Sequence, residues 1–120
     1  MATKDFNTAT LTAKYTFLEP TTTSNTTVYT VPTNATYKVQ SLALCNRSAS
    51  PIVVQVHVVP SGATIGFQHR IIANLTLVAY ETLSLQTIAG GMMLGEGDRI
   101  SVASSVVSVL SVHLSGVEGV

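Results

Sequence analysis

Three histidines, His57, His69 and His113, and one cysteine, Cys45, are the side chains of this 120-residue chain best suited to hold a soft metal ion. Neutral imidazoles and a thiolate suit zinc, copper or iron. The spacing argues against such a site, because the three histidines fall on three separate strand-like runs with no close i, i+2 pair. Ordinary sheet-surface or part-buried histidines are the expected reading, and no metal or other cofactor is expected. A Cys45–His nucleophile would need a base, an orienting group and an oxyanion hole. A cysteine inside a strand is more often a small buried hydrophobe.

The carboxylates Glu19, Glu81, Glu96, Asp98 and Glu118 are scattered near turns and strand ends, where no pair suggests the acid and base of glycoside hydrolysis. Gly90, Gly91, Gly95 and Gly97 form no phosphate cradle, since no lysine follows them and no helix N-terminus is expected there. They read as turn glycines, with Asp98 a turn residue after Gly97. Four Asn-x-Ser/Thr matches, at Asn25, Asn34, Asn46 and Asn74, are what chance supplies in a threonine-rich chain. The expectation is a protein without catalytic residues.

Aromatic side chains remain as candidates for recognition. Tyr15, Phe17, Tyr29, Tyr37, Phe67 and Tyr80 could line a carbohydrate or peptide groove. The chain has no tryptophan, the usual platform of a sugar site, so core or subunit interface is preferred. Phe6, Tyr15, Phe17, Tyr29, Phe67 and Tyr80 are therefore the candidate interface residues.

The elements that must position them are strands. Leu11, Ala13, Tyr15 and Phe17 alternate with Thr10, Thr12, Lys14 and Thr16, which predicts a strand with the apolar set buried and the polar set wet. Thr27–Val31 stops at Pro32, and Pro32-Thr33-Asn34 reads as a turn. Tyr37–Cys45 carries apolar residues on both faces, and the loop 46–51 closes it. Ile52–Val59 is nearly continuous in β-branched residues, which fit the pleat and resist helix, and Pro60-Ser61-Gly62 ends it. Ile65–Ala73, Leu75–Val78, Glu81–Ile88, Arg99–Ser104 and Val106–Ser115 follow as further strands, with breaks at Gly90-Gly91 and at Gly95-Glu96-Gly97-Asp98. These runs predict an all-β, two-sheet antiparallel sandwich, jelly-roll-like, of about eight to ten short strands. Residues 1–10 lack alternation and read as an extended N-terminal arm before a single domain over 11–120.

Composition points to assembly. Six basic residues balance six acidic ones, and charged residues make up 10% of the chain against roughly 25% in a typical soluble domain. Little repulsion keeps copies apart, so burial against partners is expected. No run of like charge exists to track a phosphate backbone, and no direct nucleic-acid partner is expected. Neither an apolar leader at Met1–Asn7 nor a membrane-length apolar stretch is present, so neither secretion by that route nor a membrane location is expected. The single cysteine excludes an intramolecular disulfide and fits synthesis in a reducing cytoplasm.

Several phrases follow one another in a telling order: Tyr29-Thr30-Val31-Pro32, Ser41 to Ser48, Val58-Val59-Pro60-Ser61-Gly62, Glu81-Thr82-Leu83-Ser84-Leu85, and Leu94 to Val102. Over residues 25 to 105 the chain resembles the small β-sandwich virion structural proteins of tailed bacteriophages. The resemblance implies a virion component made in the host bacterial cytoplasm, with the major capsid protein or other virion proteins as partners. A capsid decoration or cement protein, forming a homo-oligomer such as a trimer and clamping neighbouring capsid subunits, is the leading expectation. A head-fibre, neck or tail-associated protein is the structural alternative, and a receptor- or glycan-binding module is the alternative of another class. The arm, with Phe6 alone among Lys4, Asp5, Asn7 and Thr8, lies outside the recurrent part and is expected to contact partners.

Overall fold

The structure, a computed structural model, describes residues 10–85 and 91–120. Nine strands occur among them: β1 (Leu11–Leu18), β2 (Thr26–Thr30), β3 (Thr36–Asn46), β4 (Ile52–Val59), β5 (Arg70–Leu77), β6 (Thr82–Ser84), β7 (Met93–Leu94), β8 (Arg99–Ser104) and β9 (Leu110–Gly119). Phe67–His69 forms a single 3-10 turn. No helix among the described residues is long and apolar enough to cross a membrane.

The strands build two antiparallel sheets. Sheet A runs β1-β9-β3-β6, with β7 also pairing β3, and sheet B runs β2-β8-β4-β5. The pairs β1:β9, β2:β8, β3:β6 and β4:β5 are nested, as if one long antiparallel ribbon had been rolled up. That nesting is jelly-roll topology. The two inner faces meet over a core of aliphatic side chains, among them Leu42, Leu44, Val54, Val56, Ile100, Val102, Val112 and Leu114. Removing each such side chain from water contributes roughly 1.5–3 kcal/mol.

Strict alternation would put Tyr37 and Val39 on the opposite face from Leu42 and Leu44. A bulge lets all four point inward. The β3–β9 register shifts between Val39 and Ser41, Gln40 is exposed, and the side chains on both flanks of the bulge are fully buried. The apolar residues that the sequence places on both faces of this strand are thus largely collected on one.

Opposite Val39 on β9 stands Gly116, and its missing side chain is required. A Cβ there would lie 2.3 Å from the Lys38 carbonyl oxygen and 2.6 Å from Tyr37 Cζ. The Tyr37 ring occupies the space a side chain would need, so Gly116→Ala must displace backbone or a buried ring.

Turns at one end of the sandwich are tied together by carboxylates. Asp98 accepts from the Ser61 and Gly95 amides at 2.8 and 2.9 Å, and Glu96 accepts from the Asn34 amide at 2.6 Å. Gly97 (φ 82°) and Asn34 (φ 63°) supply the left-handed backbone these turns need. The turn reading of Asp98 is correct, and its carboxylate also joins two loops distant in sequence.

Three expectations need correction. The run Ile65–Ala73 is not one strand, because residues up to His69 form a loop and the 3-10 turn, and β5 starts at Arg70 and continues through Leu75 to Leu77. Val106 precedes the last strand, which starts at Leu110 after a turn with Ser108 at φ 60°. The apolar set of β1 is not buried: Leu11, Tyr15 and Phe17 are each more than half exposed. β1 is an edge strand, and its register with β9 sets these residues on the outer face. Thr10, placed in the arm by its sequence, pairs with Val120 through two backbone hydrogen bonds. The end of the expected strand 81–88 and the rest of the arm lie outside the described residues.

Candidate interaction surface

The outer face of sheet A gathers weakly polar and aromatic side chains around His113. Cross-strand pairing sets Phe17 and Ala43 on either side of His113, and Tyr15 and Ser41 on either side of Ser115. The Tyr15 ring stacks on the imidazole with centroids 5.9 Å apart, the Phe17 ring tilts over it at 5.1 Å, and the Tyr15 hydroxyl hydrogen-bonds His113 Nδ1. Ser41 and Ser115 hydroxyls meet at 3.1 Å. Leu11 and Ala13 extend the patch along β1, and half-buried Cys45 lies farther along β3.

Formal charge is confined to the ends of this face, where the Arg47–Glu19 ion pair lies just past β3 and β1. Lys38 sits at one margin opposite Val117, while Lys14 lies on the other side of β1 by the alternation of the strand. Tyr15 and Phe17 are 63% and 51% exposed. Two aromatic rings left this open on a charge-poor sheet make this face the candidate contact surface. Sequence reasoning picked out both rings and missed His113 as their partner. The signal available was the apolar–threonine alternation of β1, which does not say which face is covered.

The remaining candidates are dispersed. Phe6 lies outside the described residues. Tyr29 is half-buried between the sheets, where its ring packs 4.6 Å from that of Tyr37 and its hydroxyl donates to the buried Glu118 carboxylate. Phe67, 79% exposed, stands on the outer face of sheet B, and Tyr80 is exposed on the turn before β6 with φ 59°. Tyr37 is fully buried.

Burial, and then the Glu118 carboxylate, raise both inter-sheet tyrosines above the ordinary value of 10.0; Tyr37 is pushed up to about 12 and Tyr29 goes higher. Their neutral forms are favoured in the fold. Stability from this cluster is present below pH 10 and is lost as pH rises from there through about 12. Chemical unfolding across that interval should show the decline, and Tyr29→Phe with Tyr37→Phe should flatten it. An unchanged slope in the double variant would locate the alkaline sensitivity elsewhere.

His57, His69 and His113 lie on β4, the 3-10 turn and β9. Among the described residues no group of three or more His, Cys, Asp or Glu side chains comes together. His57 lines a recess of about 300 Å3 on the outer face of sheet B with Asn25, Ile65, Gly66, Phe67 and Arg70.

The class that fold and surface define is an eight-stranded jelly-roll sandwich with one short added strand and an aromatic outer sheet face. No protein-family model matches the chain, and no curated protein does. A solved structure described as the cyanophage Pam1 capsid asymmetric unit is similar with a TM-score of 0.45 and 18% identity, over 100% of this chain and 92% of that one.

Proposed function

We propose that this chain is a phage virion structural protein, most concretely a capsid decoration or cement protein that binds between capsid subunits. The observation that carries the reading is the outer face of sheet A, where Tyr15 and Phe17 stand exposed around His113 with formal charge only at the margin. A charge content of 10% and zero net charge support it, because such a surface gains by being covered. The ordered resemblance over residues 25 to 105 supports the virion setting. Binding that exists only in the assembled shell stabilises that shell by mass action, and a homo-oligomer, such as a trimer, multiplies the contacts each molecule brings.

Tyr15→Asp combined with Phe17→Asp tests the surface without touching the core, since both rings are open to solvent. The double variant should unfold like the parent and lose at least about a hundredfold in affinity for shells or for itself, as expected when two aromatic anchors go and two charges arrive. Co-sedimentation with capsid shells and light scattering read the two forms of loss. Undiminished sedimentation and unchanged mass would remove this face from the mechanism.

A further inference from the structure

His57 and Arg70 face each other across the β4–β5 ladder where the two strands enter the loop that joins them. The neighbouring Val56 points into the core, so His57 points outward, yet it is only 2% exposed. The covering comes from the chain that precedes β5. Ile65, Gly66 and Phe67 fold over the outer face of sheet B and, with Asn25 just before β2, rim the recess of about 300 Å3 that His57 and Arg70 line.

Hydrogen bonding settles where the imidazole proton sits. Arg70 Nε donates to His57 Nε2 at 3.3 Å, and a guanidinium can only donate, so Nε2 is the acceptor. Burial, then the Arg70 and His69 charges, hold His57 below the usual value of 6.5, which keeps the ring neutral with its one proton on Nδ1. That Nδ1 is buried and has no hydrogen-bond partner among the described residues. A buried donor left unmet is unusual and calls for an acceptor.

Beside it the Arg70 guanidinium lies 4.3 Å over the Phe67 ring and donates to the Ala73 carbonyl at 3.4 Å. Neither contact neutralises it. Among the described residues the one ion pair joins Arg47 to Glu19, and no acidic residue lines the recess. A fixed cation, the imidazole that carries the unmet N–H, and the apolar surfaces of Ile65 and Phe67 thus line one opening.

We propose that this recess binds a carboxylate carried on a short aliphatic stem, the carboxylate accepting from the Arg70 guanidinium and His57 Nδ1–H while the stem lies against Ile65 and Phe67. An acidic side chain of a neighbouring protein and a small free organic acid present the same chemistry. The site is separate from the aromatic face of sheet A and does not depend on that face being an interface.

Side-chain 15N NMR of the histidines in the full chain tests it, with propionate and propionamide as one pair of probes and a blocked glutamate with its glutamine counterpart as the other. Propionate or the glutamate should shift the His57 Nδ1 resonance saturably while the amides do not, and Arg70→Gln should weaken the response about tenfold or more. A stronger response to the glutamate assigns a protein side chain as occupant, and a stronger response to propionate assigns a small acid; both uphold the carboxylate site. Should Arg70→Gln disturb the fold, the carboxylate–amide contrast on the unaltered protein still decides. No saturable shift with either acid, or equal shifts with the amides, overturns the proposal.

Discussion

Val56→Asp leaves no folded protein. Val56 is fully buried in the middle of β4, paired with Val102 on one side and Ile72 on the other, and its side chain points at the opposing sheet. A carboxylate there has no cation or donor to meet it, so it must either stay ionised in an apolar core or bind a proton at neutral pH. Either course costs more than about 4 kcal/mol, a large part of the roughly 5–15 kcal/mol that holds a domain together. Circular dichroism and urea unfolding of the variant should show an unfolded or aggregated chain. Val53→Asp is the matched control, because Val53 is 38% exposed and should tolerate the same change. Normal folding of Val56→Asp would mean that the β4 register is wrong.

The second large effect is expected at Asn46, where β3 ends. Its buried amide donates to the carbonyls of Ser50, Leu77 and Val78 at 2.9, 3.1 and 3.1 Å, and its Oδ1 accepts from both the amide and the hydroxyl of Ser48 at 2.9 Å. One side chain thereby ties the β3–β4 loop to the end of β5. Asn46→Ala should cost about 3 kcal/mol or more, since several buried backbone groups lose their partners together. Asn46→Asp should cost more than alanine, because a carboxylate cannot donate and would face three carbonyl oxygens. Denaturant unfolding of the pair gives the order, and an aspartate variant as stable as the parent would show that this network contributes little.

Much of the fold was legible because turn chemistry and β-branched runs are local. Pro32-Thr33-Asn34, Pro60-Ser61-Gly62 and Gly95 to Asp98 punctuate the strands where the structure has turns, and Ile52–Val59 is a strand over its whole expected length. What sequence could not supply is the choice of face. The alternation of β1 is real, yet a period of two is silent about which side is covered, and the edge position of β1 left Tyr15 and Phe17 outside. A one-residue bulge at Gln40 likewise redistributed the apolar residues of β3, an event no alternation pattern contains.

The candidate surface was legible in part for the same reason. Tyr15 and Phe17 could be chosen as aromatics in a charge-poor chain, but His113 joins them only through a pairing with a strand almost a hundred residues away. Asn46 appeared in sequence as one letter of a recurrent phrase, and two of its five hydrogen bonds, those to Leu77 and Val78, depend on a segment some thirty residues away. Gly116 looked like any glycine until the Tyr37 ring was placed above it.

Hydroxyl-radical footprinting of the protein in assembled particles and free in solution tests the central claim most directly. Tyr15 and Phe17 should lose most of their reactivity on assembly, while Tyr80, which is 68% exposed on the turn before β6, keeps its own. Tyr15 and Phe17 reacting equally in both states, or a protein absent from the particles altogether, would contradict the proposed role of sheet A as the face by which this chain joins a virion.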